Sequence, residues 1–168
     1  MTFNKFAVKI ISMKYVTEQL LADIEDYLLE KYEPQTQQIL FQTVDYSNVT
    51  IIDLVNSELE SFQDKLFQMI KEKNLDEVEI YKKGNISRQL FSRIRSEKDY
   101  HPNENTVISL AIGMELNIDE TSELLEKAGY AFSSASKKDL IIQYFIYHKN
   151  YNIFAINEVL EKYGFETL

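Results

Sequence analysis

A mostly α-helical chain is what this sequence predicts, on three observations. Apolar residues recur at three- and four-residue spacing along most of its 168 positions. Ser, Thr, Asp and Asn stand repeatedly just ahead of those stripes, where a side-chain oxygen can accept from the open N–H groups of a first helical turn. Glycine and proline number only four and two, too few for a flexible linker or a low-complexity stretch. No internal repeat is evident.

Taken in order, Val16-Thr17 opens a helix whose Leu20, Leu21, Ile24, Leu28 and Tyr32 make one stripe, and Glu33-Pro34 stops it. Residues 35–52 read equally well as short strands or as helix, and the first dozen residues could form a strand. The N-terminal part, 1–56, is therefore expected to be a small helical or α+β segment. Ser57-Glu-Leu-Glu60 has the spacing of a capping box. Behind it Leu59, Phe62, Leu66, Phe67 and Ile70 form a stripe ending near Lys73-Asn74. Asp76-Glu-Val-Glu79 starts a short helix to about Lys83, with Gly84-Asn85 as its turn, and the next helix runs from Ser87 to about Ser96. A polar loop, 97–103, leads to a helix around 106–116; another is expected to be capped by Asp119 and to end before Gly129. Ser136 caps a helix through about His148, and Asn152 caps the last, terminated by Gly164. The expected organisation is an acidic segment over 1–56, a helical domain over 57–130, and a helical extension over 131–168 packed on it.

Composition removes several function classes. With no cysteine, disulfides, thiol chemistry and cysteine-ligated metal are excluded. The two histidines, His101 and His148, lie far apart, which gives little support to a histidine-based metal or triad site. No run approaches the roughly 20 apolar residues that cross a bilayer. The stretch from Phe6 to Met13 is interrupted by Lys9 and lacks a cleavage region, so no signal peptide is expected and a cytoplasmic location is. The four glycines form no phosphate loop, and carboxylates such as Glu25, Asp26, Glu58 and Glu60 fall on faces that read as exposed. Neither catalysis nor a cofactor is expected.

Charge is the informative property. The net charge of −9 argues against a general nucleic-acid coat, but it is segregated. Residues 14–79 hold five lysines against fifteen acids, a balance of −10. Residues 82–98 hold Lys82, Lys83, Arg88, Arg93, Arg95 and Lys98 against Glu97 alone, a balance of +5. All three arginines of the chain lie in this one helix. At about 100° per residue, Ile86, Leu90, Phe91 and Ile94 form its apolar back. Arg88, Ser92 and Arg95 form its front, with Gln89 and Ser96 beside them and Arg93 at the margin. Arginine offers a planar fork of donors that suits phosphate and guanine edges, although a charged front is also the ordinary solvated face of a surface helix.

Five short helices in this order, with a few-residue turn between the second and third, resemble the phage repressor/Cro-type helix-turn-helix domain. The similar stretch runs from about Ser57 to Gly129. Ser87-Arg-Gln-Leu-Phe-Ser-Arg-Ile-Arg-Ser96 resembles that family's recognition helix, with Phe91 and Ile94 at its two inward positions. Lys98, Pro102 and the segment from Thr106 to Ile118 resemble the loop and fourth helix that close the family's core. Tyr81 stands where the family usually has a small residue, and Gly84 is followed by Asn85 rather than preceded by an apolar residue, as in a divergent branch with an altered angle between the two helices. The stretches from Leu140 to His148 and from Asn152 to Leu160 are similar to helical modules appended to some bacterial macro-domain proteins, although no macro-domain glycine pattern is present.

The resemblance implies a bacterial or phage DNA-binding regulator, dimeric, controlling transcription of a small operon. Arg88, Gln89 and Ser92 would then read base edges, with Ser87 at the head of the helix counted in the interface. Lys82, Lys83, Arg93, Arg95 and Lys98 would hold phosphates. The competing expectation is a non-enzymatic adaptor or inhibitor whose basic face docks an acidic protein surface. The acidic segment admits three readings: a solvated face, a dimerisation or partner-binding part, or a cover over the basic patch. The aromatics Tyr144, Phe145, Tyr147, Tyr151, Phe154 and Tyr163 are expected as core rather than as a base-stacking platform.

Overall fold

The computed structural model describes residues 15–34, 60–97 and 100–168. Among them the only regular structure is helical: α1 Glu18–Lys31, α2 Phe62–Glu72, α3 Glu77–Lys83, α4 Arg88–Ser96, α5 Glu104–Gly113, α6 Ile118–Lys127, α7 Lys137–Tyr147 and α8 Ile153–Lys162. The strand-or-helix stretches before residue 15 and over 35–52, the Ser57 capping box, and Lys98 lie outside the described residues.

Local chemistry explains where these helices begin. Thr17, Asp76, Ser87, Ser136 and Asn152 cap α1, α3, α4, α7 and α8, each side chain accepting from a first-turn N–H. Three starts differ from expectation. The α2 helix is capped by Ser61, whose hydroxyl accepts from the Asp64 N–H at 3.1 Å while the Asp64 carboxylate accepts from the Ser61 N–H at 3.3 Å. The α6 helix is capped by Asn117 rather than Asp119, because Asn117 and Glu120 form a reciprocal box at 3.0 and 2.9 Å that places Asp119 inside the first turn. The α5 helix starts from Asn103 and ends at Gly113, earlier at both ends than expected. Ser61→Ala should lower stability by about 1 kcal/mol, the usual cost of a lost N-cap, as read by urea unfolding.

The helix ends share one device. After α2, α3, α5, α6, α7 and α8 a residue in the left-handed region turns the chain: Asn74, Asn85, Glu115, Gly129, Lys149 and Gly164. The next residue's N–H then reaches back five positions, as from Ile86 to the Tyr81 carbonyl at 2.8 Å and from Leu116 to Ala111 at 3.0 Å. In five of the six that next residue is apolar or aromatic: Leu75, Ile86, Leu116, Tyr130 and Phe165. Those five turns therefore both satisfy end carbonyls and drive a side chain back toward the core.

Two helices form the interior. The α5 helix is buried all round from Thr106 to Gly113, and α7 buries Leu140, Ile141, Ile142, Tyr144, Phe145 and Ile146, the pattern of a central helix rather than an amphipathic surface one. Packed on α5 are α3 and α6; α2 lies on α6; α7 joins α6, α8 and α1. The α1 stripe Leu21, Ile24 and Leu28 thus shares a core with the C-terminal helices. Tyr163 on α8's end donates to Glu25 of α1 at 3.2 Å. Burial, and then that carboxylate, push the Tyr163 hydroxyl up to about 12.

The α3–α5 crossing is the tightest contact near the arginine helix. A Cβ on Gly84 would lie 2.4 Å from the Ser109 carbonyl oxygen, and one on Gly113 would lie 2.3 Å from the Ile80 carbonyl oxygen. Two glycines facing across the crossing let the backbones meet. The left-handed turn itself is taken by Asn85, at φ 52°, and not by Gly84, whose φ is −76°.

The expected aromatic core is corrected at two positions. Tyr144 and Phe145 are buried, but Tyr147 and Phe154 are more than half exposed. Phe154 stacks on Tyr15 at 5.6 Å, outside the core, and Tyr147 edges an open groove between α1 and α7.

Candidate nucleic-acid interface

The arginine helix is held firmly from behind. Phe91 and Ile94 are buried at its inward positions, and Ile86 anchors the turn before it. Phe91 packs against Phe67 of α2 at 6.3 Å and Tyr81 of α3 at 5.8 Å. Tyr81, larger than the residue the resemblance would place there, fills the wedge between α3 and α4 with its ring. The Gln63 side chain donates to the Ile94 carbonyl at 2.5 Å and to that of Glu97, so α2 ties off carbonyls at the end of α4. A helix of nine residues is thereby fixed at both ends.

Its front is exposed, but its charges are not equivalent. Arg88, Gln89 and Ser92 are exposed and have no hydrogen-bond or ion-pair partner among the described residues; Lys82 is likewise exposed and without an ion pair there. Ser87 is occupied as the N-cap, accepting from Leu90 N–H at 3.1 Å. The other three described cations are already engaged. Arg95 pairs with Glu77 of α3 while its guanidinium lies 5.5 Å from the Phe67 ring centre. Arg93 makes two hydrogen bonds to Glu97, at 3.1 and 3.3 Å, and sits 5.1 Å from the Tyr100 ring centre. Lys83 at the end of α3 bonds Glu115 in the α5–α6 turn at 2.7 Å, and that hydrogen bond raises its pKa despite the opposing effect of burial. In space the basic patch is therefore less positive than the 82–98 window of the sequence suggests, because Glu77 and Glu115 come from outside it.

The described part of the acidic N-terminal segment, residues 15–34, lies elsewhere. The α1 helix packs on α7, where Asp23 accepts from Gln19, Glu30 pairs with Lys31, and Glu25 accepts from Tyr163. Among the described acids of residues 14–79, Glu77 engages α4. The groove between α1 and α7 is lined by Tyr27, Lys31, Glu33, Leu140, Gln143 and Tyr147. Its two charges have opposite signs, and Lys31 is held by Glu30.

The histidines take structural positions. His148 ends α7 with its Nδ1 2.8 Å from the Tyr144 carbonyl oxygen and its ring stacked 4.1 Å from that of Tyr144. His101 is exposed and stacks on Tyr130 at 5.8 Å. Among the described residues no group of three or more His, Asp and Glu side chains is placed to hold a metal, and no helix is long and apolar enough to cross a membrane.

No protein-family model matches the chain, and neither a curated protein nor a solved structure matches it.

Proposed function

We propose that the chain is a DNA-binding regulator that presents α4 to the major groove of duplex DNA. The observation that carries this reading is the exposed, unpartnered triplet of Arg88, Gln89 and Ser92 on one face of a helix clamped from behind. Arginine and glutamine can each make two hydrogen bonds to a base edge, guanine and adenine respectively, and need a rigid mount to aim them. The short turn from α3, and the resemblance of α2–α6 to a repressor-type helix-turn-helix, support the same reading. Lys82, exposed near the end of α3 and free of an ion pair among the described residues, would hold a phosphate. Such a regulator would act as a dimer on a palindromic operator, with its two α4 helices about 34 Å apart.

Arg88→Ala should cost about 1–3 kcal/mol of specific binding and relax the base preference at one operator position. Lys82→Ala should weaken all sequences alike and reduce the salt slope by about one. Operator selection from random duplexes, followed by titration of both variants, checks the two outcomes together.

A second reading is favoured by one feature. Three carboxylates already seat themselves on this face, at Arg95, Arg93 and Lys83. An acidic protein surface would exploit the same chemistry, making the chain an adaptor or inhibitor. On that reading duplex DNA is ignored at any salt concentration, and an acidic partner loses binding on Arg88→Ala.

A further inference from the structure

We infer that Glu77, Glu97 and Glu115 set the affinity and selectivity of the α4 face for duplex DNA, by occupying three of its cations before any phosphate arrives. This rests on the proposed DNA binding.

The three carboxylates come from three places. Glu77 is in the first turn of α3, where the open N–H groups favour a negative charge. It is half-buried against Arg95, whose other side is fixed by the Phe67 ring. Glu97 is the C-cap of α4 and grips Arg93 with both oxygens. Glu115 occupies the left-handed turn after α5, at φ 53°, with its carboxylate on Lys83. Each is tethered at its cation by the fold, so a phosphate must displace a partner that never diffuses away.

Counterion release makes the consequence quantitative. DNA binding becomes salt-dependent because cations that neutralise phosphates release bound ions, with a slope near −0.9 per contact. Cations already neutralised by carboxylates release little, since the freed carboxylate gathers a counterion in turn. Lys82 and Arg88 alone predict a slope of roughly −1.8, whereas all five described cations predict roughly −4.5. Indiscriminate binding of phosphate backbone is thereby suppressed. Recognition is left to Arg88 and Gln89, which suits a chain of net charge −9.

The test compares wild type with Glu77→Gln/Glu97→Gln/Glu115→Gln by anisotropy titration of a mixed-sequence duplex over a range of salt. A control, Glu18→Gln/Glu126→Gln/Glu161→Gln, makes the same charge change at exposed acids on α1, α6 and α8. Circular dichroism and thermal melts establish that all three proteins are folded. The expected result is binding about tenfold or more tighter at low salt in the first variant, with the slope steepening toward about −4.5, while the control keeps the wild-type slope. Adding Arg95→Ala should matter little in wild type and substantially once Glu77 is glutamine. A first variant no different from the control overturns the inference; if wild type itself binds, the DNA proposal survives. Binding by the first variant alone supports the inference and overturns DNA binding by the unmodified chain. Binding by none of the three overturns both.

Discussion

Replacing Gly113 with alanine is expected to destabilise the protein by about 1–3 kcal/mol, the range for forced overpacking, although alanine is intrinsically the better helix former. The new Cβ would lie 2.3 Å from the Ile80 carbonyl oxygen and 3.0 Å from the Gly84 nitrogen. Both are backbone atoms, so no side-chain rotation can relieve the contact. They also belong to one hydrogen bond, Gly84 N–H to Ile80 at 2.8 Å, which closes the end of α3. Pushing α3 off α5 therefore moves the turn from which α4 hangs. The expected signature is a lower urea midpoint together with weaker DNA binding than the stability loss alone explains, measured where the variant is still folded. An alanine variant of undiminished stability would mean that the two helices do not cross this closely.

Phe145→Ala is expected to cost more, about 3–5 kcal/mol, the usual loss for a large aromatic removed from a packed core. Phe145 is fully buried in α7, the helix that joins α1, α6 and α8. Its ring lies nearly perpendicular to that of Tyr144, with centroids 6.0 Å apart. Against the 5–15 kcal/mol that typically holds a domain together, this change alone removes a large fraction of the total. Equilibrium denaturation checks it, and a loss below about 1 kcal/mol would place Phe145 outside the core. Phe154→Ala, in an exposed ring stack, should cost far less.

How much of this was legible in the sequence follows from the range of the interactions. Helix starts were readable because a cap acts over three residues: Thr17, Asp76, Ser87, Ser136 and Asn152 all cap as their positions suggest. Asp119 misled because Asn117, two residues earlier, completes a reciprocal box with Glu120 that an acid inside the first turn does not displace. The inward set of α4 was equally readable from helical spacing, and Phe91 and Ile94 are buried accordingly.

The state of the basic face was not readable. Glu77 lies 18 residues before Arg95, and Glu115 lies 32 residues after Lys83, so a local charge count misses both. Only Glu97, one turn beyond Arg93, fell within reach of a sequence argument. The glycines show the same limit. Gly84 reads from sequence as part of a turn and Gly113 as an isolated glycine within a helix, and their purpose appears only when α3 is laid against α5. The exposure of Tyr147 and Phe154 is tertiary too, since an aromatic at core spacing is buried only if a neighbour covers that side.

The central claim is that the free front of α4 binds DNA, and one titration tests it most directly. Fluorescence anisotropy with mixed-sequence duplex, at roughly 50 and 200 mM salt, would compare wild type with Arg88→Ala, both verified as folded. The account predicts binding at the lower salt that weakens about tenfold at the higher, as two unopposed cations require, and that is largely lost without Arg88. Folded wild type that fails to bind duplex at the lower salt, or that binds equally well without Arg88, would contradict it.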